Sequence, residues 1–229
     1  MMMLQRSRFL HLPKTGGTWV RHALQAGCPG ARWCLLDGSD HLRWWEAPGR
    51  GLFTVAFVRH PLTWWQSFWR FHRGPARRYV VSQRVCQHCW SDDFVQFVGN
   101  VTQRFPGEYG LLLDNFLGPA GAAVDFLGRQ EHLVDDLLLA LRLADEPHDE
   151  AAIRAVSAAN VSAPETVATY TAAGRKAVLG SEQYVLQRCG YDGRVAQDQA
   201  MAQHWLAPAV DYVLPRGNAA PARCVGQGR

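Results

Sequence analysis

The stretch Arg8-Phe-Leu-His-Leu-Pro-Lys-Thr-Gly-Gly-Thr-Trp-Val-Arg-His-Ala-Leu-Gln-Ala26 decides the fold. Its first part, Arg8–Pro13, predicts a short buried strand. Gly16-Gly17 predicts a tight turn, and the apolar spacing that follows predicts a helix from Gly17 to Ala26, ended by Gly27. A strand that passes through a glycine turn into a helix presents backbone N–H groups and a helix N-terminus to an anion. Gly16 and Gly17 let the backbone approach closely, Lys14 adds a point charge, and Thr15 and Thr18 add hydroxyl donors. His11–Thr18 thus reads as a P-loop-like phosphate cradle. It departs from a Walker A loop, which places its lysine after the last glycine, whereas Lys14 precedes both glycines.

Arg32–Leu36 predicts a second strand, Asp37-Gly-Ser-Asp40 a turn, and His41–Ala47 a short helix stopped by Pro48-Gly49. Leu52–Arg59 is a continuous apolar run of the kind buried on both faces of a parallel sheet, and Pro61 stands where a helix running to His72 begins. Arg73–Trp90 reads as an irregular, arginine-rich surface segment. A capped helix is expected from Ser91, a strand over Ala122–Gly128 after a break at Gly118–Gly121, and helices over Glu131–Leu143 and Ala172–Arg188. Alternating strands and helices place the chain in the α/β class. The expectation is a single domain over residues 1–192, with a central, mostly parallel sheet flanked by helices, and a partly loose C-terminal extension over residues 193–229.

The 229 residues carry 24 Lys+Arg against 20 Asp+Glu, a net charge of +4, with 48% hydrophobic and 19% charged residues. That balance excludes a disordered or collagen-like chain and suffices for a substantial core. No apolar run reaches the ~18 residues that cross a bilayer as a helix. Phe9–Leu12 is too brief for a signal-peptide core, so cytoplasmic residence is expected. The charges are dispersed, without a block of five or six, and nucleic acid is not favoured as a partner. Only Lys14 and Lys176 among the 24 basic residues are lysine, so a lysine inside the cradle stands out. Six irregularly spaced cysteines suggest reduced thiols, and Cys86-Gln-His-Cys89 lacks the second ligand pair of a structural zinc site, so no metal is expected. Asn100-Val-Thr102 and Asn160-Val-Ser162 match glycosylation sequons, which bear meaning only in a secreted chain.

A second cluster follows the apolar strand. Arg59 stands at its end and Ser67 eight residues on, along the next helix. An arginine at the C-terminal end of a parallel strand opens onto the crevice where such sheets bind ligands, and its guanidinium suits a bidentate grip on phosphate. Two anion sites on neighbouring strands suggest a ligand phosphorylated at two separated points.

The two motifs together resemble a known family. His11-Leu-Pro-Lys-Thr-Gly-Gly-Thr18 is similar to the 5′-phosphosulfate loop, and Phe57-Val-Arg-His-Pro-Leu-Thr-Trp-Trp-Gln-Ser-Phe68 to the 3′-phosphate motif, of sulfotransferases that use 3′-phosphoadenosine 5′-phosphosulfate (PAPS). The likeness is greatest to the branch containing carbohydrate sulfotransferases. Echoes continue through Gly128–Leu133, Asn160-Val-Ser162 and Tyr184 to Gly190-Tyr191. The resemblance implies that Lys14, Thr15, Gly16, Gly17 and Thr18 hold the phosphosulfate while Arg59 and Ser67 hold the 3′-phosphate. It also implies in-line sulfuryl transfer to a hydroxyl or amine, with Lys14 neutralising charge on the bridging oxygen. It asks for a general base after the second strand. His41 matches best, with Asp40, Glu46 and His11 as rivals. The acceptor is left open among glycans, lipids and small metabolites. A nucleotide-binding module without catalysis and a kinase of similar topology are the competing readings. Trp44-Trp45, Trp64-Trp65 and Trp69 offer either sugar-stacking faces or core packing, and arginines 70, 73, 77, 78 and 84 either guide an anionic acceptor or are solvated.

Overall fold

The computed structural model describes residues 1–36, 39, 41–73, 81–158, 168–191 and 223–225. Its strands are β1 (Met2–Met3), β2 (Ser7–Leu10), β3 (Arg32–Leu35), β4 (Phe53–Val58), β5 (Phe126–Arg129) and β6 (Arg223–Val225), in the sheet order β5-β4-β2-β1-β3-β6. Helices α1 (Gly17–Gly27), α2 (Pro61–Arg73), α3 (Gln83–His88), α4 (Phe94–Arg104) and α5 (Glu108–Leu117) follow in sequence. They are succeeded by α6 (Leu133–Leu143), α7 (Glu150–Arg154), α8 (Ala172–Ser181) and α9 (Gln183–Arg188). The chain divides into two compact units where the sequence reading expects one domain over residues 1–192. Among the described residues the sheet unit comprises 1–58, 113–158 and 223–225, and the helical unit 59–112 and 168–191.

The α/β class holds, and the mostly parallel sheet requires correction. Parallel pairing is confined to β2 with β4 (Ser7↔Phe53 to Leu10↔Ala56) and β4 with β5 (Val55↔Phe126 to Val58↔Arg129). Met2–Met3, where the sequence predicts no strand, form β1, which lies antiparallel between β2 and β3. A two-residue strand is too short to show a period-2 pattern; the return turn, closed by Leu4 N–H to the Ser7 carbonyl at 2.9 Å, makes it. At the far edge β6 pairs antiparallel with β3, within the extension expected to be loose. Cys34 is disulfide-bonded, which corrects the expectation of reduced thiols; in the β3–β6 register it stands opposite Cys224. Cys28, Cys86, Cys89 and Cys189 form no disulfide.

The core of the sheet unit follows from its apolar runs. The last five residues of β4 are buried, as its hydrophobic stretch requires, and so are all four of β2, where the polar Ser7 and Arg8 are satisfied by hydrogen bonds to Glu146 and Thr54 at 2.8 Å each. Trp19, Val20, Ala23 and Leu24 line one face of α1, and Leu137, Leu138 and Leu141 line α6; both pack with Phe9, Val55 and Phe57. Each fully buried Val, Leu or Phe side chain among them contributes about 1.5–3 kcal/mol through burial.

The helical unit is built on α2. Trp64, Trp65, Phe68 and Trp69 are each at most 1% exposed. Trp64 stacks on Tyr109 at 4.3 Å, Phe68 on Phe97 at 5.9 Å, and Trp69 meets Phe94 edge-on at 5.2 Å. These tryptophans are core, not sugar faces. The expected helix Ala172–Arg188 is broken at Glu182, whose side chain turns inward to accept the Trp65 indole N–H at 3.2 Å. Arg73–Trp90 is not wholly irregular either: Ser82 caps α3 and Arg84 pairs with Glu108, while 74–80, with Arg77 and Arg78, lie outside the described residues. Also outside them lie Asp37, Gly38, Asp40, Asn160-Val-Ser162 and most of the C-terminal extension. Among the described residues no helix is long and apolar enough to cross a membrane.

Candidate functional site

The loop leaving β2 is shaped by its own atoms. Lys14 adopts the left-handed region at φ 67°, uncommon for a residue with a Cβ, and Gly16 does so at φ 86°. Thr15 is fully buried, and its hydroxyl donates to the Leu12 carbonyl at 3.0 Å, closing the turn. That hydroxyl is engaged within the loop itself. Gly16 is the N-cap of α1 and supplies no side chain to cap it; its carbonyl accepts from Trp19 and Val20. The start of α1 thus carries the partial positive charge of a helix N-terminus without a capping side chain.

A Cβ at either glycine would meet a neighbouring side chain. A Cβ on Gly16 would lie 2.9 Å from Leu133 Cδ2, and one on Gly17 would lie 1.9 Å from His11 Cδ2. The loop rests on the start of α6 on one side and on the His11 ring on another. Gln130 and Leu133 lie outside the two phosphate-binding motifs of the sequence; the stretch Gly128–Leu133 is the only signal of them there.

His41 reaches the loop by a route the sequence does not show. β2 and β3 both run opposite to β1, so their C-terminal ends open at the same edge of the sheet. After β3, Leu36 and Ser39 exchange backbone hydrogen bonds at 2.9 Å, and the Ser39 hydroxyl accepts the His41 N–H at 3.1 Å. The His41 ring then lies 4.2 Å from the His11 ring, with Nδ1 at 2.9 Å from the His11 carbonyl. His41–Ala47 is not the expected helix. It is an extended entry followed by a turn in which Glu46 accepts the Arg43 N–H at 2.7 Å, so that Glu46 works as a local cap. Trp45 is 37% exposed beside the Arg43 guanidinium at 5.3 Å.

Arg59 and Ser67 belong to the helical unit. The Arg59 N–H donates to the Tyr109 hydroxyl at 3.1 Å, and that hydroxyl donates to the Arg59 carbonyl at 3.1 Å. The guanidinium Nε donates to Thr63 Oγ1 at 3.1 Å. Thr63 and Ser67 are four residues apart, hence on one face of α2. The regular spacing Arg59, Thr63, Ser67 was the available signal for Thr63; nothing in the sequence marks Tyr109. At the entry to α6, Asp136 accepts the Arg129 N–H at 2.6 Å, and burial lifts its carboxyl above the ordinary range, so this corner is held by backbone capping. Among the described residues no group of three or more His, Cys, Asp or Glu is placed to hold a metal ion.

No protein-family model, no curated protein and no solved structure matches this chain.

Proposed function

We propose that the chain is a PAPS-dependent sulfotransferase acting on a hydroxyl or amine, with a carbohydrate or glycan-like acceptor as the leading class. The supporting observation is the meeting of a glycine turn that opens a helix, Lys14 in the turn, and a histidine held at its edge. In this reading the phosphosulfate lies against Lys14, Gly16, Gly17 and Thr18. Arg59, oriented by Thr63, takes the 3′-phosphate with Ser67. His41 Nε2 accepts the proton of the acceptor as its oxygen bonds to sulfur. The bond from sulfur to the phosphate oxygen breaks, and Lys14 neutralises the charge left on that oxygen. A compact ammonium suits this role better than a planar guanidinium. The disulfide at Cys34 favours an oxidising compartment over the cytosol as the setting of the reaction.

Transfer of labelled sulfate from PAPS to a panel of sugars, lipids and phenols tests the reading. Label in product supports it. Tight binding of adenosine 3′,5′-diphosphate without transfer to any acceptor would leave a nucleotide-binding module, and preference for ATP a kinase.

A further inference from the structure

His11 is 8% exposed and stands just past the end of β2, where its ring and its carbonyl serve different ends. The ring fills the space above the first residue of α1, since a Cβ at Gly17 would fall 1.9 Å from its Cδ2 and 2.1 Å from its Nε2. Phe9 stacks against it at 5.9 Å with 28° between the planes, and His41 lies 4.2 Å from it. The carbonyl meets His41 Nδ1 at 2.9 Å. A carbonyl oxygen has no proton to give, so Nδ1 carries the proton, and the neutral His41 ring keeps its lone pair on Nε2.

We infer that His11 is a positioning residue: its carbonyl sets the tautomer of His41, and its ring, wedged between Gly17 and His41, couples the base to the start of the phosphosulfate-loop helix. An anion drawn to the loop shifts Gly17, and the His11 ring passes that shift to His41. The consequence for turnover rests on the proposed sulfuryl transfer, whereas the tautomer and its coupling to the loop exist whether or not sulfate is transferred. His11 exchanges no proton with substrate; the proton taken from the acceptor resides on His41.

The test is nitrogen-15 NMR of the full chain labelled at histidine, with His41→Ala used to assign the His41 signals. The expected wild-type result is a neutral His41 protonated at Nδ1, whose signals move when adenosine 3′,5′-diphosphate is added. Gly17→Ala drives a methyl group into the His11 ring, and is expected to mix the two tautomers and abolish the nucleotide-induced movement. His11→Phe retains the carbonyl and an aromatic wedge and is expected to keep both features; loss of either in this variant would also overturn the inference, which preserves the test if Gly17→Ala does not fold. A wild-type His41 protonated at Nε2, or His41 signals unchanged by Gly17→Ala, would overturn the inference. Failure of the nucleotide to bind would instead count against the proposed function, with the tautomer still read directly.

Discussion

Trp65 donates its indole N–H to Glu182 Oε1 at 3.2 Å, joining α2 to the break between α8 and α9 across 117 residues of sequence. The same carboxyl accepts the Tyr109 and Gly110 N–H groups at 3.3 Å each and is 1% exposed. Three neutral donors hold a group whose charged form burial penalises. Burial lifts the Glu182 carboxyl from its ordinary 4.5 to about 7, against the opposing pull of those hydrogen bonds.

The pH dependence of stability follows from that shift. The folded chain holds the Glu182 proton more tightly than the unfolded chain does, so its contribution is complete below about pH 4.5 and is lost as pH rises toward about 7. Within that window each pH unit removes about 1.4 kcal/mol. Glu182→Gln is expected to flatten the slope of Tm against pH there; equal slopes in the two proteins would count against a raised carboxyl.

Gly16 and Gly51 share a left-handed backbone, at φ 86° and φ 89°, but a Cβ at Gly51 meets nothing within 4 Å whereas one at Gly16 meets Leu133 at 2.9 Å. Gly51→Ala is expected to cost about 1 kcal/mol from backbone strain alone. Gly16→Ala adds a clash and is expected to cost about 1–3 kcal/mol more. Urea unfolding of both variants checks the ordering, which equal losses would refute.

Lys14→Arg retains positive charge but replaces a compact ammonium with a planar fork. Sulfate transfer is expected to fall by about a hundredfold or more, as when a transition-state donor is lost, with affinity for adenosine 3′,5′-diphosphate changed far less. Wild-type turnover at saturating PAPS would remove Lys14 from the reaction.

Thr63 touches no phosphate in the proposed arrangement, yet it accepts from Arg59 Nε at 3.1 Å. Thr63→Val keeps the shape and removes the acceptor. Affinity for adenosine 3′,5′-diphosphate is expected to drop about tenfold, equivalent to about 1.4 kcal/mol, with adenosine 5′-phosphate little affected. Calorimetry on both nucleotides distinguishes a lost 3′-phosphate contact from general damage, which would weaken both.

Alkylation of the denatured, unreduced protein should modify Cys28, Cys86, Cys89 and Cys189 while sparing Cys34 until a reductant is added. Peptide mapping reads the result. Modification of Cys34 without reductant would show that β3 carries no disulfide.

Local chemistry was legible in the sequence wherever neighbours along the chain decide the outcome. The glycine turn and α1 follow from Gly16-Gly17 and the apolar spacing after them, β4 from one unbroken hydrophobic run, and α2 from Pro61 and its aromatic stripe. Failures came where distant residues decide. Glu182 breaks an otherwise helical stretch because donors on Trp65, Tyr109 and Gly110 draw its carboxyl inward, and no property of residues 172–188 announces them. In the sequence His41 is marked by its imidazole and its position after β3, but the contact with the His11 carbonyl depends on β1 inserting between β2 and β3. Sequence by itself determined the α/β class, the glycine turn between β2 and α1 and the list of polar residues along it, because propensity, turn chemistry and hydrophobic period act over a few residues. Tertiary structure alone decided the mixed sheet, the burial of the α2 tryptophans, the engagement of Thr15 and the pairing of His11 with His41, because these depend on which strand ends and side chains meet in space.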